Sequence, residues 1–279
     1  MSLLLKPAAE LLEKSGIHRP QWTAEQLLSH HLDCRPVELY LDSPEISSEQ
    51  AIRFQADVAA RANGVPLQYL QGSAGFYGRE FLVGPGVFIP RPETEILVET
   101  VLGVIASDQR ELSNLVLADI GTGSGAIAVT LALESPGLRI YAIDQSPLAL
   151  SFSRRNSARH GCSVSFLQGN CATPLSPGSV DLITANLPYL DPTEALLWPP
   201  ELAWEPWLAL DGGRGGTALI ETLIQQAYPV LRPNGKLILE IGLGQLEQIS
   251  SFAQSHLFRV KEVVKDLAGL ERVVVLWRN

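Results

Sequence analysis

From Asn114 onward the chain alternates short apolar runs with helical segments, and this alternation constrains the fold more than any other feature of the sequence. The run LVLADI is followed by a glycine-rich turn and a helix, and RIYAID, SVSFLQGN, VDLITAN and KLILEIG continue the pattern. Apolar strands that alternate with helices predict a mainly parallel sheet covered on both faces. Only Ala268 to Glu271 separate the last two strands, RVKEVVKDL and RVVVLWR, which is too short for a crossover helix. The sequence therefore predicts an α/β sheet, mostly parallel, whose last strand is antiparallel.

The first 72 residues carry no strand pattern, and we expect them to form a small helical domain (residues 1–72). Leu4 to Lys14 has its apolar residues on one face of a helix. Thr23 with Gln26, and Ser47 with Gln50, have the spacing of capping boxes and predict the starts of two further helices.

The residue pattern changes after the helical region. Residues 73–92 alternate aromatic and polar residues around glycines, which predicts a β-hairpin linker ending in IPRP. A helix is predicted from Thr94 to about Ile105, within an α/β domain that spans residues 93–279.

Composition narrows the class of protein. A hydrophobic content of 46% and a charged content of 18% are typical of a globular protein. A net charge of −9 argues against sequence-independent binding of nucleic acid, which needs a basic surface. The three cysteines lack metal-ligand spacing, and no run approaches the roughly 20 apolar residues that span a bilayer. We expect a soluble cytoplasmic protein without a metal and without a membrane anchor.

Polar and glycine residues follow three of the predicted strands. Asp119 precedes a G-x-G-x-G turn, Asp144 ends the second strand, and Asn170 ends the third. Ligands of open α/β sheets bind at the carboxyl ends of the strands, where glycines permit close approach and a carboxylate can accept hydrogen bonds from a ribose diol. The pattern favours a nucleoside ligand over a plain tight turn, and the glycine spacing favours S-adenosylmethionine over a nicotinamide dinucleotide. For Asn170, an ordinary turn position is nearly as good an interpretation as a contact with the adenine.

The segment NLPY, Asn186 to Tyr189, ends the fourth strand beside this predicted ligand site. Pro188 cannot donate to a sheet ladder, so the strand must stop before it. The Asn186 side-chain oxygen and the Leu187 carbonyl can accept hydrogen bonds from a planar NH2 group, and Tyr189 can stack on that group. We favour this interpretation over a structural turn with an aromatic lid.

The order of segments resembles one family over nearly the whole length. A helical domain, GFYGREFLVGPGVFIPRPETE, DIGTGSGAIA, NLPY and WEPWLALDGGRGG follow one another as in the release-factor glutamine methyltransferases, also called the PrmC or HemK family. The resemblance implies a Rossmann-like methyltransferase sheet. It also implies methyl transfer from S-adenosylmethionine to the glutamine of the GGQ motif in class-1 peptide chain release factors, with S-adenosylhomocysteine as product.

The resemblance also implies roles for particular residues. It places Asn186, Leu187, Pro188 and Tyr189 at the catalytic site, and Phe88 and Arg91 near the substrate, although a packed hinge explains that pair equally well. Glu205 and Pro206 would order a loop over the pocket. This chain departs from the family pattern at Leu187, where a proline is usual, and at Asn170–Cys171, where an acidic residue and an aromatic are usual. The implied cofactor contacts are Asp119, Gly121, Thr122, Gly123, Ser124, Gly125, Asp144, Asn170, Cys171 and Asn186.

Three alternatives remain open on the sequence alone. The first is methylation of a ribosomal-protein glutamine, which the motifs distinguish poorly from the release-factor reaction. The second is methylation of an adenine amino group in ribosomal RNA, which the acidic charge and the IPRPETE and WEPW segments disfavour. The third is a non-enzymatic binding module, which the intact glycine turn, Asp144 and Asn186 disfavour.

Overall fold

A computed structural model describes residues 2–42 and 44–278. The chain divides into two compact units. The first comprises the residues up to Ala74 together with Pro199–Trp204, and the second comprises Gly75–Trp198 and the residues from Glu205 onward.

The first unit is helical. Its apolar core contains the fully buried side chains of Leu12, Leu27, Leu28 and Phe54. Its helices are α1 (Ser2–Lys14), α2 (Pro20–Leu32), α3 (Glu38–Leu41), α4 (Ser48–Ala62) and α5 (Leu67–Gln71).

One of the two predicted capping boxes is confirmed and the other is wrong. The Ser47 hydroxyl accepts from the Gln50 amide, and the Gln50 side chain accepts from the Ser47 amide, at the start of α4. The predicted box at Thr23 does not form, because α2 begins three residues earlier at Pro20. Proline suits the first helical position, where no intrahelical partner is needed for an N–H. Thr23 is instead a buried residue inside the helix.

The short segment Pro199–Trp204 belongs to the helical unit although it lies far along the chain. The Arg61 guanidinium forms an ion pair with Glu201 and donates a hydrogen bond to the Val65 carbonyl oxygen at 3.0 Å. Gly64 has a positive φ of 94°, and a Cβ there would lie 3.2 Å from Nε1 of Trp204. The close contact and the backbone conformation both favour glycine at this position.

The predicted hairpin includes the point in the chain, after Ala74, at which the first unit ends, and its strands are separated by Tyr77 and Gly78. Strands and helices then alternate as the sequence predicts. Their bounds are β1 (Ser73–Phe76), β2 (Arg79–Leu82), α6 (Glu95–Ala106), β3 (Val116–Ile120), α7 (Ala126–Glu134), β4 (Arg139–Asp144), α8 (Pro147–His160), β5 (Ser165–Gln168), β6 (Val180–Ala185), α9 (Ala218–Val230), β7 (Leu231–Glu240), α10 (Leu246–Ser255), β8 (Phe258–Lys265) and β9 (Glu271–Arg278).

Within the described residues, β3 to β9 form a seven-stranded sheet in the order β5-β4-β3-β6-β7-β9-β8. The pairs among β3 to β7 are parallel, and β9 is antiparallel to both of its neighbours. The predicted mostly parallel sheet with an antiparallel last strand is therefore confirmed. The reversed strand lies one position in from the edge, because β8 occupies the edge itself. The strand order reverses direction between β3 and β6, whose carboxyl ends carry Asp119 and Asn186.

Two apolar clusters lie in the second unit, one around α9 and α10 and the other around α6 and α7. β3 and β6 are buried along their whole length, which explains why they lack the alternating pattern of a half-exposed strand. Among the described residues, no helix is long and apolar enough to span a membrane.

Candidate active site

The glycine turn after β3 is held against the end of β4. The Gly121 and Thr122 amides donate to the Ile143 carbonyl oxygen at 2.8 and 3.0 Å. The Asp144 carboxylate accepts from the Gly123 amide and from the Ser146 amide, each at 2.9 Å. Burial raises the pKa of Asp144, and these amide donors oppose the rise. Each carboxylate oxygen keeps a lone pair after these bonds.

The backbone conformation and the close packing both favour glycine at the last position of the turn. Gly125 has a φ of 83°, and a Cβ there would lie 3.1 Å from the Ser153 backbone of α8. The Ser153 hydroxyl donates to the Gly123 carbonyl at 2.7 Å, and the Asn156 amide donates to the Ser124 carbonyl at 2.8 Å. Hydrogen bonds from α8 side chains to backbone carbonyls of the turn therefore fix its shape.

Asp119 lies at the end of β3 and is fully buried. Neither of its carboxylate oxygens meets the geometry of a hydrogen bond with the described residues. Burial raises its pKa to about 7, the nearby Thr122 hydroxyl lowers it, and the charge of Asp144 raises it further. Burial therefore favours the neutral, protonated form of the Asp119 carboxyl.

The two residues considered after β5 differ in exposure: Asn170 faces solvent and Cys171 faces the core. Asn170 is exposed, and its carbonyl oxygen accepts hydrogen bonds from the amide and hydroxyl of Thr173. Cys171 is buried in the core beside Ala172, and burial raises the pKa of its thiol to about 11. The Cys171 thiol is therefore neutral and packed, whereas Asn170 is accessible at the sheet edge.

β6 ends at Ala185, three residues before Pro188, as the sequence predicts. The Leu187 side chain is buried and lies against the glycine turn, because a Cβ on Gly121 would be 2.9 Å from Leu187 Cδ2. The Asn186 side chain donates from Nδ2 to the Thr94 hydroxyl at 2.9 Å. Among the described residues, nothing donates to Asn186 Oδ1 or to the Leu187 carbonyl oxygen. Two unpaired acceptors therefore stand next to the glycine turn.

Tyr189 is held mainly through its backbone. Its carbonyl accepts from the Gln245 side chain at 2.9 Å. Gly212 and Gly216 pack against this segment, since a Cβ on Gly212 would lie 2.8 Å from the Pro188 carbonyl oxygen and one on Gly216 would overlap the Tyr189 carbonyl. These two glycines of the GGRGG segment are therefore favoured by close packing against NLPY. Burial raises the pKa of Tyr189 to about 12, so the phenol stays neutral.

Phe88 and Arg91 are fixed by Glu205. The Glu205 carboxylate is buried, accepts from the Ile89 amide at 3.0 Å and forms an ion pair with Arg91. The Arg91 guanidinium lies over the Phe88 ring, 4.9 Å from its centroid. Burial dominates the raised pKa of Tyr189, and the charge of Arg91 opposes it.

Sequence reasoning missed Glu240 and the side chain of Thr94 as parts of this site. Glu240 ends β7 and is buried, and its Oε2 atom has no hydrogen-bond partner among the described residues. Burial raises its pKa to about 7, while the hydroxyls of Thr94 and Tyr189 and the charge of Arg272 oppose the rise. The available signal was the single charged residue inside the apolar run LILEIG.

The described residues contain no group of three or more His, Cys, Asp or Glu side chains arranged to hold a metal ion. The polar groups of the site are instead hydrogen-bond donors and acceptors at the carboxyl ends of β3, β4, β6 and β7. Such a set suits the recognition of a nucleoside and of a planar amide.

Comparison with solved structures identifies the fold. A methyltransferase from Pyrococcus furiosus matches with a TM-score of 0.55 at 17% identity, over 84% of this chain and 100% of that chain. The ribosomal protein L11 methylase of Lactobacillus delbrueckii matches with a TM-score of 0.52 at 18% identity, over 74% of this chain and 90% of that chain. The sheet order and these neighbours define the fold as that of a methyltransferase.

Sequence comparison goes further than the fold. Residues 4–72 match the model of the PrmC N-terminal domain, and residues 85–197 match the methyltransferase small domain. The release factor glutamine methyltransferase of Moorella thermoacetica is 39% identical over 280 residues, or 99% of this chain and 97% of the relative. That of Thermodesulfovibrio yellowstonii is 38% identical over 260 residues, or 92% of each chain. The chain belongs to the release factor glutamine methyltransferase family, and the resemblance seen in the sequence is confirmed.

Proposed function

We propose that this enzyme transfers a methyl group from S-adenosylmethionine to the side-chain amide nitrogen (N5) of the GGQ glutamine in class-1 peptide chain release factors. Family membership supports the reaction. The observation that carries the assignment of the site is the pair of unpaired acceptors, Asn186 Oδ1 and the Leu187 carbonyl, beside the glycine turn.

The residues at the ends of β3 and β4 fit an adenosine cofactor. Gly121, Gly123 and Gly125 all have positive φ and present backbone without side chains. The spare lone pairs of the Asp144 carboxylate suit the two hydroxyls of a ribose. Exposed Asn170 is available to an adenine edge, whereas the Cys171 thiol is turned into the core and would contribute only its backbone. Bound there, the cofactor supplies an electrophilic methyl group on a sulfonium.

The chemical problem lies in the nucleophile. An amide nitrogen is a poor nucleophile because its lone pair is delocalised into the carbonyl group, and no side chain can deprotonate it at neutral pH. Asn186 Oδ1 and the Leu187 carbonyl can each accept one N–H of the glutamine amide, which holds its nitrogen in line for attack. Neutral Tyr189 can stack on the planar amide. The nitrogen loses one proton after it gains the methyl group, and water can accept that proton.

The helical unit, with its boundary near residue 72, is assigned to recognition of the protein substrate. Its described residues contain no glycine turn of this kind and none of the polar strand ends described above. Phe88 and Arg91, held by Glu205, are assigned to the substrate side of the site. Direct binding of nucleic acid is not part of the proposal, because the chain carries a net charge of −9.

The test is transfer of a labelled methyl group to purified release factor, ribosomal protein and ribosomal RNA, assayed side by side. We expect label in the release factor, and none in a release factor whose GGQ glutamine is replaced by alanine. Preferential labelling of the ribosomal protein or of the RNA would refute the proposed substrate.

A further inference from the structure

Gln245 joins the NLPY segment to the carboxyl end of β7, and neither the sequence pattern nor the reaction proposed above gives it a role. Its Nε2 atom donates to the Tyr189 carbonyl oxygen at 2.9 Å, and its Oε1 atom accepts from the Gly242 amide at 2.8 Å. A longer hydrogen bond runs from Nε2 to the Gly215 carbonyl oxygen at 3.5 Å. One half-buried side chain therefore bonds to the backbone of three separate segments.

These contacts fix the orientation of the Gln245 amide. A glutamine side chain has a carbonyl oxygen that accepts and an NH2 group that donates. Here the NH2 group faces two carbonyl oxygens, and the side-chain oxygen faces an N–H. If the amide were turned by 180°, each of these pairs would place donor against donor or acceptor against acceptor. The side chain is therefore held in one orientation.

The helix that Gln245 precedes does not use its side chain. Gln245 occupies the N-cap position of α10, yet its side chain makes no capping hydrogen bond. Ser, Thr, Asp and Asn are preferred at this position because their short side chains reach the free amides of the first turn. The Gln245 side chain extends instead to NLPY and to the end of β7. The local structure of α10 therefore does not explain a glutamine here.

The Tyr189 ring lies at the same point as the Gln245 amide. A Cβ on Gly242 would be 3.1 Å from Tyr189 Cδ2 and 2.8 Å from Gln245 Oε1, so ring and amide meet over this glycine. A Cβ on Gly216 would be 2.6 Å from Gln245 Nε2. Both glycines therefore leave the space through which Gln245 reaches Tyr189.

Gln245 holds one end of the peptide that joins Tyr189 to Leu190. The carbonyl oxygen of this peptide accepts from Gln245, and its N–H donates to the Leu210 carbonyl oxygen at 3.1 Å. Because a peptide unit is planar, hydrogen bonds at both ends fix its plane. That plane contains the Tyr189 Cα atom, from which the ring projects. Loss of the Gln245 bond would free one end of the peptide and allow the ring to shift.

We propose that Gln245 is a positioning residue, which holds the Tyr189–Leu190 peptide so that the Tyr189 ring lies against the methyl acceptor. The inference rests on the proposed role of Tyr189 in stacking on the glutamine amide, and it adds one residue to that role. A misplacement of about 1 Å in an active site can lower the rate by about 10²-fold, so a bond to backbone can matter for turnover.

The experiment compares single-turnover methylation of release factor by the full-length wild-type chain and three variants. Gln245→Met keeps the length of the side chain and removes its hydrogen bonds. Gln245→Glu keeps the acceptor for the Gly242 amide but replaces the NH2 group by a carboxylate oxygen, which cannot donate to the Tyr189 carbonyl. The matched control is Gln254→Met, at an exposed position near the end of α10.

Both substitutions at Gln245 should lower the rate at saturating release factor at least about tenfold, because the ring is no longer held in place. The release-factor concentration that gives half of the maximal rate should stay close to wild type. So should the affinity for S-adenosylmethionine, measured by calorimetry, which also shows that each variant is folded. Gln254→Met should match wild type in all three measurements. A normal rate for Gln245→Glu would mean that Gln245 acts only on the turn before α10, and would overturn the proposal.

A further readout separates positioning from a general loss of structure. In a Tyr189→Ala background, Gln245→Met should cause no additional loss of rate, because the ring that Gln245 positions is gone. A purely structural role would instead lower the rate by the same factor in both backgrounds.

The outcomes distinguish this inference from the proposed function. If wild-type enzyme does not methylate release factor, the proposed function fails. If the wild type is active and Gln245→Met has a normal rate, or if its loss adds fully to that of Tyr189→Ala, only the positioning role is refuted.

Discussion

At the scale of single residues, we assign two functions to Asp144. Its carboxylate fixes the glycine turn through the Gly123 amide, and its remaining lone pairs face the proposed ribose. Asp144→Ala should weaken binding of S-adenosylmethionine at least about tenfold, since hydrogen bonds to a charged group contribute about 1.5–3 kcal/mol each. Isothermal calorimetry measures the change. The control is Ser146→Ala, which removes the α8 cap but no ribose acceptor; equal losses in both variants would mean that Asp144 acts only on local structure.

The contrast between Asn186 and Leu187 tests the proposed acceptors. Asn186→Ala should lower the rate by about 10²–10³, because one preorganised hydrogen bond is lost, and should leave cofactor affinity near wild type. Leu187→Pro should keep substantial activity, because proline presents the same carbonyl. Some loss is expected from the buried Leu187 contact with Gly121 and from the fixed φ of proline. Single-turnover methylation with a near-normal Asn186→Ala and an inactive Leu187→Pro would contradict the site.

The two buried carboxyl groups predict an unusual dependence of stability on pH. Folding raises the pKa of Glu240 from 4.5 and of Asp119 from 3.8, each to about 7. A carboxyl group whose pKa is raised by folding stabilises the folded state fully at pH values below its pKa in the unfolded chain. This stabilisation is lost as pH rises through the folded-state pKa of about 7. Glu240→Gln removes this loss, so it should raise the free energy of unfolding at pH 8 by about 3 kcal/mol at most and leave it unchanged at pH 4. Denaturant titrations at both pH values measure the difference, and an equal effect at pH 4 and pH 8 would exclude titration of Glu240 as its cause.

The sequence identified the polar residues at strand ends but not their partners. Asp119, Asp144 and Asn186 are recognisable because each follows an apolar run. Glu240 and Thr94 are recognisable only when β7 and the turn after IPRP are placed beside β6. Their proximity depends on the order of strands in the sheet, and strand order cannot be predicted from a local sequence pattern.

At the scale of elements, helix caps show what local patterns can and cannot predict. Both candidate boxes had the required spacing, yet only Ser47–Gln50 forms, because Pro20 starts α2 before Thr23 is reached. Strands were placed within a few residues, since β3 and β6 are apolar throughout. The position of β9 between β7 and β8 was not predicted. The short connection predicts that β8 and β9 pair with each other, but it does not show which of the two pairs with β7.

The Ser47 cap gives a measurable prediction for α4. Ser47→Ala removes the acceptor of the Gln50 amide and should lower the free energy of unfolding of the helical unit by about 1 kcal/mol. Thermal unfolding followed by circular dichroism detects such a change. Ser48→Ala, one residue inside the helix, is the matched control and should have little effect; equal losses in the two variants would show that the effect of Ser47→Ala does not come from the cap.

At the scale of the whole molecule, the two units are assigned different tasks. A chain that starts at Gly75 should bind S-adenosylmethionine with near-normal affinity, because all the proposed cofactor contacts lie beyond that residue. It should methylate intact release factor poorly, because the proposed recognition unit is missing. Calorimetry and labelled transfer measure the two properties on one preparation. Normal methylation of the intact release factor by the shortened chain would disprove the assignment of the helical unit.

The assignment of Pro199–Trp204 to the helical unit has a consequence for the order of events during synthesis. Domains generally fold from the N-terminus as the chain leaves the ribosome. Here Arg61 meets Glu201, and Gly64 meets Trp204, only after about 125 further residues have followed Ala74. At typical elongation rates that interval is roughly 6–25 s. β3, β4, β5 and β6 all emerge within it. The helical unit is therefore translated first but cannot form all of its contacts until most of the sheet has been translated.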